Sequence, residues 1–322
     1  MVRTMLQGLV SRARQLAQDL QRSLLRPVPP PTPARPAARP VPAAYGPLGR
    51  VLLTDGVGRT LFEEFADHRA AARGEEETGW VLVGLREASE AVVLATFPAG
   101  TRRDAGVAHI RFDSSGQVVA SRIIRQADRR LTILGVVHTH PGSLRHPSDG
   151  DLRGDGQWVR HLRGREGVFG IGTADAPGAD AMFAYQPRPH VHCLGELRFS
   201  WYALGEGDGA YRPLPAELTI GPDLARPLHA IWEMLESHAE RIDRLYRQQA
   251  GVRFAVTEDE WGPGLILTVP LAAGGDAIRV VVRPKGVFYY VLQGGEVLEV
   301  QHHDEQVDRG VYLLLAELAS RA

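Results

Sequence analysis

The sequence predicts a layered α/β (α+β) domain followed by a smaller C-terminal α+β domain. Three observations lead there: short apolar runs of strand length, helical segments set between them, and a late helix–meander–helix order. The first domain is expected over 49–220 and the second over 221–322, behind an amphipathic N-terminal helix (1–26) and a Pro/Ala-rich linker (27–48). With 322 residues, 44% of them hydrophobic and 23% charged, each folded part is long enough to bury a core.

In residues 1–26, Val2, Met5, Leu6, Leu9, Ala13, Leu16, Leu20 and Leu24 recur at helical spacing, with Arg3, Arg12, Arg14 and Arg22 on the other faces. Arginines interrupt the apolar stripe, so a signal peptide is not expected. Such a helix suits docking on a partner, on its own domain or on a membrane surface. The stretch "PVPPPTPARPAARPVPAAYGPL" that follows holds nine prolines and reads as a stiff, extended tether. Strands are then expected at 80–85, 91–97, 108–112, 131–138, 167–174, 181–185 and 197–204, with helices over 59–73 and 151–164. In the second domain, the pattern predicts a helix over 225–249. Five strand-like runs ("VRFAV", "GLILTVPL", "AIRVVVRP", "VFYYVLQ", "VLEV") and a closing helix near 305–320 complete it.

A net charge of −1, from 37 basic and 38 acidic residues, excludes a global basic field, so nucleic acid is not an expected partner. Cys193 is the only cysteine, so no disulfide can form within the chain and a reducing, cytoplasmic setting is expected. No apolar run reaches 18 residues. Lys285 is the only lysine, which an arginine-biased genome explains most simply.

The chemistry concentrates in "LGVVHTHPGSLRHPSDGD", residues 134–151. Residues two apart on a strand share a face, so His138 and His140 project side by side from the end of a buried strand. Paired imidazoles suit zinc, and Asp151, in the first turn of a following helix, can return as a third ligand. Three protein ligands leave a fourth position for water, the catalytic arrangement. Each residue also has a plainer explanation. Ser148 with Asp151 makes a helix capping box that needs no metal, and strand-end histidines are commonly surface residues. Their conjunction straight after a buried strand favours the metal. His146 is expected on the rim, Asp149 as a first-turn acid favoured by the helix dipole, and Asp155 in solvent. His190 and His192 share the two-residue spacing but lack acidic partners and read as edge-strand residues; Cys193 reads as a small buried side chain.

His138-Thr139-His140-Pro141 followed by Pro147-Ser148-Asp149-Gly150-Asp151 resembles the JAMM motif of the JAB/MPN metalloproteases, H-x-H-P with a later P-S-x-x-D. That family also uses a glutamate in an E-x-G-x-x-x-G setting, which "EETGWVLVG" resembles through Glu77, Gly79 and Gly84, the last one residue later than in that pattern. The resemblance covers roughly 55–205. It implies a JAB/MPN-like, cytidine-deaminase-like layered domain with a central mixed sheet and flanking helices, holding Zn2+ on His138, His140 and Asp151. It implies Glu77 as the general base that takes a proton from the attacking water and passes it to the leaving amine. Ser148 would be the hydroxyl that stabilises the tetrahedral oxyanion.

The activity implied is cleavage of isopeptide or peptide bonds after the C-terminal tail of a ubiquitin-like protein, in deconjugation or precursor maturation. The partners implied are that protein, its conjugates and ubiquitin-like conjugation machinery. A strand edge beside the zinc would bind the extended tail, with loops in 98–130 lining the channel. The C-terminal domain is loosely similar in order to ubiquitin-conjugating folds, but has no cysteine. Two alternatives are a JAB peptidase trimming a sulfur carrier or another small peptide, and a non-catalytic MPN scaffold. The scaffold is disfavoured because each catalytic position holds a competent residue.

Overall fold

A computed structural model describes residues 45–321 except 101–105, 107–111, 113–114, 178–182, 272–274 and 302–303. The expected N-terminal helix, most of the proline tether, most of the 108–112 strand and the start of the 181–185 strand lie outside the described residues. The chain divides into two compact units at residues 240 and 241, so 221–240 belong with the first.

The first unit opens with β1 (Arg50–Thr54), a strand not expected from the sequence, which runs directly into α1 (Asp55–Ala70). The Thr54 hydroxyl caps that helix by accepting from Val57 N–H at 3.3 Å. Val57, Leu61, Phe62 and Phe65 recur at helical spacing and form its buried face. Next come β2 (Gly79–Arg86), β3 (Glu90–Pro98), α2 (Ser115–Ile124), β4 (Thr132–Thr139), α3 (Asp149–Trp158) and β5 (Glu166–Thr173). β6 (Tyr185–Arg188), β7 (Val191–Leu194), β8 (Leu197–Gly205), β9 (Arg212–Pro213) and β10 (Ala216–Thr219) complete one mixed sheet, ordered β10-β1-β3-β2-β4-β5-β8-β7-β6 with β9 beside β8. β1 lies parallel to β3 and β10, and β4 parallel to β5, while β2 runs antiparallel to both its neighbours. A bulge between Val83 and Gly84 depends on the glycine, since a Cβ at Gly84 would lie 1.8 Å from the Val92 carbonyl oxygen.

The sheet curls until its ends meet. Ala216 N–H donates to Pro189 O at 2.7 Å, and the Gln186 side chain donates to Ala216 O at 2.8 Å. α1 lies on the concave side, where Phe62 meets Phe199 edge-on at 5.0 Å and Trp80 packs on the same ring. Trp80 also donates its indole N–H to Glu64 at 2.6 Å. The helix expected over 225–249 is broken into α4 (Arg226–His229) and α5 (Trp232–Gln248). The cause is tertiary: His229 is held between the Glu64 carboxylate at 2.5 Å and Thr96 O at 2.7 Å, and bonds spanning three residues tighten the backbone there.

In the second unit, five antiparallel strands form a meander matching the five apolar runs: β11 (Arg253–Asp259), β12 (Gly262–Pro270), β13 (Ala277–Arg283), β14 (Gly286–Gln293) and β15 (Glu296–Val300). Alternation along β12 to β14 buries Leu265, Leu267, Ile278, Val280 and Tyr289 with Val307 and Val311 of α6 (Val307–Arg321). Asp308 at the start of α6 is paired with Arg244 at 3.3 Å. Lys285 is exposed in the turn between β13 and β14. Among the described residues, no helix is long and apolar enough to cross a membrane.

Candidate metal centre

The end of β4 places its two histidines where period-2 geometry predicts. His138 and His140 are both buried and lie on the sheet face opposite Trp80. Their Nε2 atoms stand 3.1 Å apart. Asp151 returns from the first turn of α3, with Oδ1 3.2 Å from His138 Nε2 and Oδ2 3.5 Å from His140 Nε2. Tetrahedral zinc ligands at about 2.0–2.1 Å from the metal stand about 3.3–3.4 Å apart, and each of these pairwise distances is close to that, the two to Asp151 running to different carboxylate oxygens. The group could hold a metal ion.

Two of the three candidate ligands are oriented by a second contact. His140 donates Nδ1–H to Leu144 O at 2.8 Å, which leaves Nε2 facing the cluster. Asp151 Oδ2 accepts from Ser148 N–H at 2.6 Å, and Ser148 Oγ accepts from Asp151 N–H at 3.2 Å. The capping box is therefore present, and the same carboxylate also reaches both histidines. Ser148 Oγ accepts in the box, so its own hydrogen remains to donate. Burial pushes the Asp151 carboxyl up, but His138, His140 and the Ser148 N–H outweigh it and hold it well below the usual carboxylate range. Burial pulls His140 down, while Asp151, the Leu144 carbonyl and the Glu77 charge together raise it.

Glu77 is 5% exposed, just ahead of β2. Gly79 pairs with His138, and Thr139 N–H donates to Thr78 O at 2.8 Å, so the ladder runs on past the strand end and sets Glu77 beside His140. Gly79 must be glycine, because a Cβ there would lie 2.5 Å from Val137 O and 2.7 Å from the Phe112 ring. Glu77 N–H donates to Gly106 O at 2.8 Å, so part of the segment expected to line the channel does pass the site. That segment is not all loop, since it contains α2. β2 and β4 are paired on both sides, so the free strand edge expected beside the metal is neither of them.

Ser148, Asp151 and the histidines are thus gathered, with Glu77 adjoining. His146 is exposed on the rim. His192 is buried in β7 and bonded to Ala216 O at 3.2 Å, while Cys193 beside it is buried. Asp155 departs from expectation. It is half-buried rather than solvated, accepts from Tyr211 Oη at 2.7 Å, and is pushed up to about 6 by burial, against the Tyr211 bond and the His138 charge. Its signal was its place four residues after Asp151, one helical turn on along the same side. Tyr211 carried no local signal. α3 itself is weak: Gly150, Gly154 and Gly156 each cost about 1 kcal/mol against alanine, and none of its residues is buried.

Residues 58–185, which contain every one of these candidate ligands together with Glu77 and Ser148, match the family model for prokaryotic homologs of the JAB domain. That segment is thus similar to prokaryotic JAB domains, a family that includes metallopeptidases, and it lies wholly inside the first unit. Among curated proteins, none matches the chain. Among solved structures, it is similar to the solution structure of protein DSY2949 from Desulfitobacterium hafniense. The identity is 17% and the TM-score 0.35, over 54% of this chain and 95% of that one, a likeness too weak to bear on function.

Proposed function

We propose that the chain is a zinc-dependent isopeptidase or peptidase that cleaves after the C-terminal tail of a ubiquitin-like protein, using a JAB/MPN-like, cytidine-deaminase-like layered domain. The observation that carries the reading is the convergence of His138, His140 and Asp151: the two Nε2 atoms lie 3.1 Å apart and 3.2 and 3.5 Å from the two Asp151 oxygens, with buried Glu77 adjoining. Zinc bound there supplies an acidified water, its pKa lowered to about 7, and polarisation of the scissile carbonyl. Glu77 takes the proton of the attacking water and delivers it to the leaving amine. Its burial keeps that carboxylate out of bulk water and close to the histidines. Ser148 donates its hydroxyl to the developing oxyanion while its lone pair caps α3. The partners are the ubiquitin-like protein, its conjugates and the machinery that makes them.

Purified protein should carry one zinc per chain, and Asp151→Ala should carry none. Incubated with a ubiquitin-like protein fused to a test peptide, the wild type should cut at the junction and Glu77→Ala should not. A zinc-loaded wild type that cuts no such fusion would overturn the reading.

A further inference from the structure

The third ligand candidate sits on the least self-sufficient element of the site. α3 has the sequence DGDLRGDGQW, buries none of its residues, and contains three glycines. Its capping box is internal, made between Ser148 and Asp151, so it orders the first turn without fastening the helix to anything. Besides Asp151 itself, two described contacts tie the body of α3 to the sheet. One is the Trp158 ring against Phe169, with centroids 6.5 Å apart, and the other is the hydrogen bond from Tyr211 Oη to Asp155 at 2.7 Å.

We propose that Tyr211 and Asp155 are positioning residues for the third ligand: their hydrogen bond latches α3, and with it Asp151, against His138 and His140. The proposal rests on the metal-centre reading above. Asp155 lies one turn beyond Asp151, so a bond there fixes the rotation of the helix that aims the ligand. Tyr211 is a firm anchor. It ends the turn between β8 and β9, which is closed by Gly205 N–H donating to Asp208 at 2.8 Å and pinned by Arg212 on Glu166 at 2.7 Å. Its ring stands edge-on to Phe169 at 5.7 Å and to Tyr202 at 6.2 Å. Tyr202 in turn donates to Arg145 O at 3.0 Å, on the loop that joins His140 to Ser148. Two adjoining tyrosines thus grip both halves of the ligand-bearing segment, one through the loop and one through the helix.

The test uses the full chain. Tyr211→Phe keeps the ring contacts and removes only the donor. It should weaken zinc binding about 10-fold or more in competition with a chromophoric chelator. Amide hydrogen exchange over 149–158 in the metal-free protein should quicken. Asp155→Ala should behave alike, and the double variant should be no worse than either single one. Asp155→Asn, which still accepts from Tyr211, should stay near wild type; loss of zinc affinity in that variant would mean that charge rather than the latch is at work, and would overturn the proposal. A methyl added at Gly154 or Gly156 meets no atom within 4 Å, so Gly154→Ala in the Tyr211→Phe background should stiffen α3 and recover affinity. Unchanged exchange across α3 in Tyr211→Phe overturns the latch. A wild type that binds no zinc overturns the metal-centre reading instead, and exchange in the metal-free protein still decides the latch.

Discussion

The cap that Ser148 makes and the oxyanion role proposed for it are separated by different substitutions. In Ser148→Ala, Asp151 N–H loses the acceptor 3.2 Å away, which costs the helix about 1 kcal/mol, whereas Ser148→Gly costs only about a few tenths. In a unit of this size that difference moves the melting temperature of the metal-free protein by about 2–4 °C. If all of it is transmitted to the ligand helix, zinc affinity falls about fivefold in the alanine variant and barely in the glycine one. Both variants lose the hydroxyl donor equally, at about 2.7–4 kcal/mol of transition-state stabilisation, or about 10²–10³ in kcat. The assay is cleavage of a ubiquitin-like fusion at saturating zinc, beside thermal melts of the metal-free proteins. The expected result is the same large loss of kcat in both and a lower melting temperature in alanine alone. If Ser148→Gly keeps kcat within about threefold of wild type, the oxyanion role fails. If it melts as low as Ser148→Ala, the capping account fails.

Glu77→Gln, nearly isosteric, should lower kcat by about 10²–10⁴ while zinc stoichiometry by metal analysis stays at one. Zinc added at about 100 times its Kd should stabilise the metal-free protein by about 2.7 kcal/mol in thermal melts, and His140→Ala should abolish that shift. Glu64→Gln, in the half-buried pair with His229, should cost about 1.5–3 kcal/mol in denaturant melts, in a pH-dependent way. Burial pulls His229 down but Glu64 raises it further, so its contribution is whole below the unfolded value and fades as pH rises through the folded one. Burial pushes Glu64 up but His229 and Trp80 lower it, so its contribution is whole above the unfolded value and fades as pH falls through the folded one. The difference from wild type should therefore peak between about pH 4.3 and 6.5.

The candidate centre was legible because its residues sit on local patterns. Strand alternation pairs His138 with His140, and a capping box aims Asp151, so one stretch of sequence encodes the cluster. Glu77 was legible only through the family resemblance, since what sets it beside His140 is the pairing of two strands distant in sequence. Tyr211 left no trace because a turn between two strands delivers it from far along the chain. Asp155 had a readable spacing, but whether a carboxylate faces water or protein depends on that same distant tyrosine. In the fold, the C-terminal meander was plain from its long alternating runs. β1, with five residues after a proline tether, and the two-residue β9 are too short to show a period. The break between α4 and α5 comes from the two bonds to His229, which no helical pattern records.

Within these 322 residues there is one lysine, and it stands exposed in a tight turn of the C-terminal sheet. An isopeptide bond needs a side-chain amine, so a tag joined to this chain through such a bond has a single address. Any branched form of the protein would be one defined species, attached at Lys285, and Lys285→Arg would erase it.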